Sequence, residues 1–158
     1  PEYFPVWFCD HWTDDVARIT GRIAFADVRT DQSKVGENRY LRELHWWSTW
    51  FDACYMYRRE QAHRIINILD EPEWRKEILR SHHPLIEYRS KWINDNCRAN
   101  APALERNALP KDERYFRVKQ KAVDILPEML KLLPEPEARG YRAILTPPTT
   151  IQNLQRFG

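Results

Sequence analysis

Apolar residues recur along most of this chain at spacings of three and four, the period of amphipathic helices. The densest stretch runs from Trp46 to Leu69, WWSTWFDACYMYRREQAHRIINIL. Between Arg39 and Tyr57, the residues Leu41, Leu44, Trp47, Phe51 and Cys54 share one helical face, and Trp46, Trp50, Ala53 and Tyr57 a second. A helix apolar on two sides packs between neighbours rather than on a surface. A tight polar turn is expected at Arg58 and Arg59. A second helix then runs from Glu60 to Asp70 with a single stripe, Ala62, Ile65, Ile66 and Leu69. An inner helix followed by an amphipathic partner predicts an all-α fold of stacked antiparallel helical hairpins. Its core would hold Leu44, Trp47, Phe51, Cys54, Ala62, Ile65, Ile66 and Leu69.

The rest of the chain reads as about seven helices in all, punctuated by proline. Residues 1–12, PEYFPVWFCDHW, show no helical period and are expected as an extended arm. Thr13 is placed to cap a helix with Asp14 and Asp15 in its first turn, where the dipole favours anions. That helix continues through Val16, Ile19, Ile23 and Ala24 to about Val28. Pro72 opens a short helix carrying Trp74, Ile78 and Leu79, and Pro84 another that buries Leu85, Tyr88, Trp92 and Ile93. Residues 99–110 read as a linker holding a helical turn. Pro110 and Asp112 open a long helix that Pro127 must kink or restart, and Pro136 begins the last, through Tyr141 and Leu145. The helical-hairpin domain thus spans 13–146, with a C-terminal tail at 147–158.

Composition narrows the function more by what it withholds. Charged residues make up 30% of the 158 but almost cancel, at +2, which gives no general pull towards nucleic acid or anionic membrane. Aromatic content is 13%, with seven tryptophans, the side chains enriched in cores and permanent interfaces. No apolar run approaches the length of a membrane span. The three cysteines, Cys9, Cys54 and Cys97, form no disulfide framework and point to a reducing compartment. The opening Pro1 is compatible with a cleaved organelle-targeting leader.

Candidate chemistry is sparse. Cys9 and His11 lie close together, but no second pair stands at a metal-site spacing. His82 and His83 diverge, and His45 and His63 sit within the central hairpin as packing or hydrogen-bonding residues. Cys54 reads as a small core residue. No phosphate loop, dinucleotide loop, nucleophile elbow or zinc-protease motif is present, and no catalytic, cofactor or metal residue is assigned. Arg114, Arg117, Lys119 and Lys121 alternate with acids as a solvated face; the sharper alternative is a phosphate-contacting surface.

The stretch from Trp46 to Leu69 resembles a pentatricopeptide repeat. Trp47, Ser48, Thr49, Phe51, Asp52, Ala53 and Cys54 fall where that repeat's first helix has its motif residues, and Ala62 and Leu69 where its second does. The turn is one residue short, and Arg58 replaces the repeat's glycine. In RNA-reading members the base-selecting position would be Thr49, but one repeat is a poor reader of RNA. In size, helical character, single degenerate repeat and aromatic load, the chain is also similar to the pentatricopeptide-like extra subunit of the euglenozoan mitochondrial ATP synthase head. That resemblance implies a non-catalytic structural subunit, without cofactor, in the mitochondrial matrix. It would contact an alpha subunit and share in the complex's ATP synthesis and proton transport without performing either. Tyr3, Phe4, Trp7, Trp46 and Trp50 are the candidate interface. An RNA-binding or mitoribosomal repeat protein and an accessory subunit of a respiratory-chain complex are the alternatives.

Overall fold

In the computed structural model, which describes residues 8–24, 43–81, 83–107 and 111–147, the chain is all-α, with no strand among those residues. The helices are α1 (Cys9–Ile19), α2 (Leu44–Ala53), α3 (Tyr55–Ile68), α4 (Glu73–Arg80), α5 (His83–Leu104), α6 (Glu113–Leu130) and α7 (Glu135–Leu145). A 3-10 turn at Glu105–Asn107 extends α5.

The first helix begins earlier and ends earlier than its pattern suggests. Residues 9–12 belong to α1, so the expected arm contributes a helical turn here; residues 1–7 lie outside the described chain. Thr13 is therefore internal, and Asp14 and Asp15 are mid-helix residues rather than a dipole-matched first turn. The end is set by Gly21, at φ +64°. Its N–H donates to Arg18 O at 3.1 Å and that of Arg22 to Ala17 O at 2.8 Å, a Schellman closure that glycine adopts without strain. Ile23 and Ala24 consequently fall beyond the helix.

The central pair departs from the expected hairpin. The chain breaks at Cys54 (φ −93°, ψ 11°), four residues before the anticipated polar turn. The ladder nevertheless runs on through the break: Cys54 N–H donates to Trp50 O at 3.2 Å and Arg58 N–H to Cys54 O at 3.1 Å. No turn reverses the chain at Arg58 and Arg59; both lie inside α3. The inward row of this segment is Cys54, Arg58, Ala62 and Ile66, spaced by four and each fully buried. An arginine thus occupies a core position that composition alone assigns to solvent.

With the hairpin gone, α2 packs chiefly on α5 and α7, and α3 on α1 and α5. Nine residues of α2 are buried, as its two apolar faces require. The indoles are tied down at their polar tips. Trp46 donates to Leu145 O at 3.1 Å, Trp47 to the Tyr115 hydroxyl at 3.3 Å, and Trp50 to Ala122 O at 3.0 Å. Trp12 donates to Gln61 at 2.8 Å and stacks on Trp50 at 5.9 Å between ring centres. Each N–H buried with its ring is thereby satisfied, which a buried indole needs.

The later helices follow their punctuation more closely. The Asp112 carboxylate accepts the Tyr115 N–H at 2.8 Å and caps α6. Pro136 lies in the first turn of α7. Pro102 and Pro127 stay inside α5 and α6 instead of ending them.

Candidate docking surface

Three polar clusters, buried or partly buried, decide what chemistry the interior has left to offer. In the first, Asp15 and Arg58 have 1% and 0% of their side chains exposed and pair at 2.9 Å. Arg89 reaches the other Asp15 oxygen at 2.5 Å and Asp14 at 2.6 Å. Arg58 also donates to Phe51 O at 2.5 Å and to the Ser90 hydroxyl, and lies 3.7 Å over the Phe51 ring. This cluster locks α1, α3 and α5 together. Burial pushes the Asp15 carboxyl up against the pull of Arg58 and Arg89, and the Arg58 guanidinium down against that of Asp15.

The second cluster lies on the polar edge of α2, where His45, Ser48, Thr49 and Asp52 stand three and four residues apart. A serine, a histidine and an aspartate on one face invite comparison with a nucleophilic triad. The geometry is different. Ser48 donates to His45 O at 3.0 Å and to Asn94 Oδ1 at 2.9 Å, not to the imidazole. Thr49 donates to His45 O at 2.8 Å and to Asn94 Oδ1 at 3.1 Å. Asp52 accepts from Asn94 at 3.1 Å and from the Tyr141 hydroxyl at 3.0 Å. Burial raises the Asp52 carboxyl, offset in part by those two bonds. These groups hold α2 to α5 and α7. Thr49, 1% exposed, has no surface with which to read a base.

In the third cluster, Glu43 receives Lys119 at 2.9 Å, Lys111 at 3.2 Å and the Tyr115 hydroxyl. Lys119 is 4% exposed and stands 4.5 Å over the Trp46 ring, so it belongs to the interior and not to the solvated basic face expected of α6. Beside this cluster an open groove of about 440 Å³ runs between the start of α2 and the end of α5, lined by Glu43, His45, Trp46, Arg98 and Glu105. Both of its carboxylates are engaged, Glu43 as described and Glu105 by the Leu44 N–H. The candidate ligand His11 bonds Asp10 at 3.0 Å near the surface. Among the described residues no three histidine, cysteine or acidic side chains are placed to hold a metal ion.

The expected site residues divide by depth. Leu44, Trp47, Phe51, Cys54, Ala62 and Ile66 are buried, Leu69 is half-buried, and Ile65 is exposed. Tyr3, Phe4 and Trp7 lie outside the described residues. Trp50 is fully buried and Trp46 shows only a sliver of its ring at the groove, which corrects their assignment to an interface.

The exposed apolar surface lies elsewhere. The inward row of α5 is Ile86, Ser90 and Ile93. Leu85, Tyr88 and Trp92, expected inside, are 67%, 71% and 57% exposed on the opposite face. Spaced by three and four, they form one stripe that leaves on the order of 300–400 Å² of side chain in water, the size of patch that commonly marks an interaction site. On α4, Trp74 and Ile78 are exposed as well. The period of this stripe is plain in the sequence; the side it faces is not, because an inward row containing Ser90 beside Arg58 is invisible to a hydrophobic count. No helix of the described residues is long and apolar enough to cross a membrane, so these faces are not those of a spanning segment. No family model, curated protein or solved structure matches the chain.

Proposed function

We propose that this chain is a non-catalytic structural accessory subunit of a mitochondrial ATP synthase of the euglenozoan kind, docked on the outside of an alpha subunit of the catalytic head on the matrix side. The observation that carries the docking role is the outward stripe of Leu85, Tyr88 and Trp92, where the other large aromatics among the described residues are mostly inside. The buried polar clusters support a scaffold role, since their donors and acceptors are used to join helices. The choice of complex rests on the resemblance in size, helical character and aromatic load. The pentatricopeptide likeness contributes less, because the chain does not reverse between α2 and α3.

The test is isolation of the native assembly through a tag on this chain, followed by mass spectrometry. ATP synthase head subunits in fixed ratio, retained through a high-salt wash, are the expected result. Recovery of the chain alone or with ribosomal RNA overturns the assignment. A head that hydrolyses ATP at the same rate with and without the chain is expected of a non-catalytic subunit.

A further inference from the structure

We infer that the element seated on the outer face of α5 is an α-helix of the partner, and that this helix presents charged groups along one edge of its apolar ridge. The inference rests on the docking reading and adds the class of element the surface takes.

Three observations lead to it. The stripe is spaced three then four, the seam into which a second helix fits its own side chains. Past a polar break at Asp95 and Asn96 it resumes in line at Ala99 and Ala103, both exposed, so that the face runs over roughly 27 Å of helix at about 1.5 Å per residue. An extended segment laid on the same face would gain no backbone pairing, because a helix uses its own N–H and C=O groups internally, whereas a partner helix brings its backbone already satisfied. The polar side chains beside the stripe offer an extended chain little more. Asn96 donates to Trp92 O at 2.7 Å and Asn100 to Asn96 O at 2.8 Å, and Arg89 is held by Asp14 and Asp15.

The other edge is charged, and Glu87 and Lys91 on it also feel Glu137 of α7. Glu87, Lys91, Asp95 and Arg98 alternate in sign along it, yet none has an ion-pair partner among the described residues. Elsewhere on the same molecule such spacings do pair: Asp14 with Arg18 at 2.9 Å, Glu71 with Arg75 at 3.5 Å, and Glu113 with Arg117. An apolar centre edged by charges that make no close ion pair is the anatomy of a protein interface. Charges of alternating sign there select a helix of mixed flank over a uniformly acidic or basic one.

The test uses stapled helical peptides of about three heptads with leucine along one ridge. Their flanks are alternating, all-basic or all-acidic, and a peptide held extended by proline substitutions but otherwise of the same residues is the control. Binding to the full chain is followed by fluorescence anisotropy. The alternating peptide is expected to bind, and the extended control to bind at least about tenfold more weakly. Tyr88→Ser with Trp92→Ser is expected to weaken binding about a hundredfold at an unchanged unfolding midpoint. Lys91→Glu with Arg98→Glu is expected to make the all-basic peptide the tightest by about tenfold. No binding at about 100 μM, equal binding of the extended peptide, or indifference to either double variant overturns the inference. Purified catalytic head separates the two ideas. A chain that binds the helix but not the head keeps the inference and loses the ATP synthase assignment. One that binds the head equally well without Tyr88 and Trp92 loses the inference and keeps the assignment.

Discussion

Replacing Asp15 by alanine removes one partner from an ion pair whose two side chains are 1% and 0% exposed. Leaving a charge uncompensated in an interior costs about 3–5 kcal/mol. The structure places this case near the lower end. Without Asp15, Arg58 still has Phe51 O, the Ser90 hydroxyl and the faces of Phe51 and Trp12, the latter at 5.3 Å. Arg89, 31% exposed, keeps Asp14, so its loss adds less than about 1 kcal/mol. The expected cost is about 3 kcal/mol, a fall in melting temperature of roughly 6–12 °C for a chain of this size. The second half of the argument is the double variant. Because burial pushes both groups towards their neutral forms, replacing the pair by apolar side chains removes a penalty along with an attraction. Asp15→Ala with Arg58→Met should therefore return to within about 1–2 kcal/mol of the parent, well short of the sum of its two single variants. Urea unfolding of the four proteins, compared by midpoint at constant slope, measures it. A single variant costing under about 1 kcal/mol, or a double variant costing the sum of its singles, refutes the reasoning.

Trp50→Ala should cost about 3–5 kcal/mol by thermal or urea unfolding, since the ring is fully buried, whereas Trp92→Ala should stay within about 0.5 kcal/mol in the free chain. The pH dependence of Glu43 has a definite sign. Burial raises its carboxyl, but Tyr115 and Lys119 outweigh that and hold it below the ordinary 4.5. Its contribution is therefore complete above about pH 4.5 and lost as pH falls through the lower folded value. The stability gap between the parent and Glu43→Gln, measured from pH 7 down to about pH 3, should close in that window; a gap that widens there contradicts the assignment. The Cys54 thiol is buried and pushed far up by desolvation, so a maleimide followed by mass spectrometry should label it only as the chain unfolds.

How much of this was legible in the residues depends on what each pattern encodes. The all-α class follows from the three-and-four spacing, and the start of α6 from Asp112, because period and capping are local properties. The double apolar face of α2 likewise announced burial, and Trp46 and Trp50 obey it; assigning them to an interface overrode the residues' own signal. What failed was long-range. Arg58 reads as a turn residue until Asp15, 43 positions earlier, is brought within 2.9 Å. The outward direction of the α5 stripe depends on Ser90 being drawn inside by that same arginine. A hydrophobic count sees two possible faces on α5 and picks the more aromatic one, which here meets water.

The first turn of α2 supplies an experimental handle on how the chain assembles. Its leading residue, Glu43, has a left-handed backbone (φ 51°) and no side-chain cap on its own helix, and the Leu44 amide is instead closed by Glu105, 61 positions later. That proton is protected only while the end of α5 sits against the start of α2. Its hydrogen-exchange rate therefore reports the opening of one contact between distant parts of the chain, separate from the fraying of α2 itself. Followed during refolding, it would date the moment at which α5 arrives.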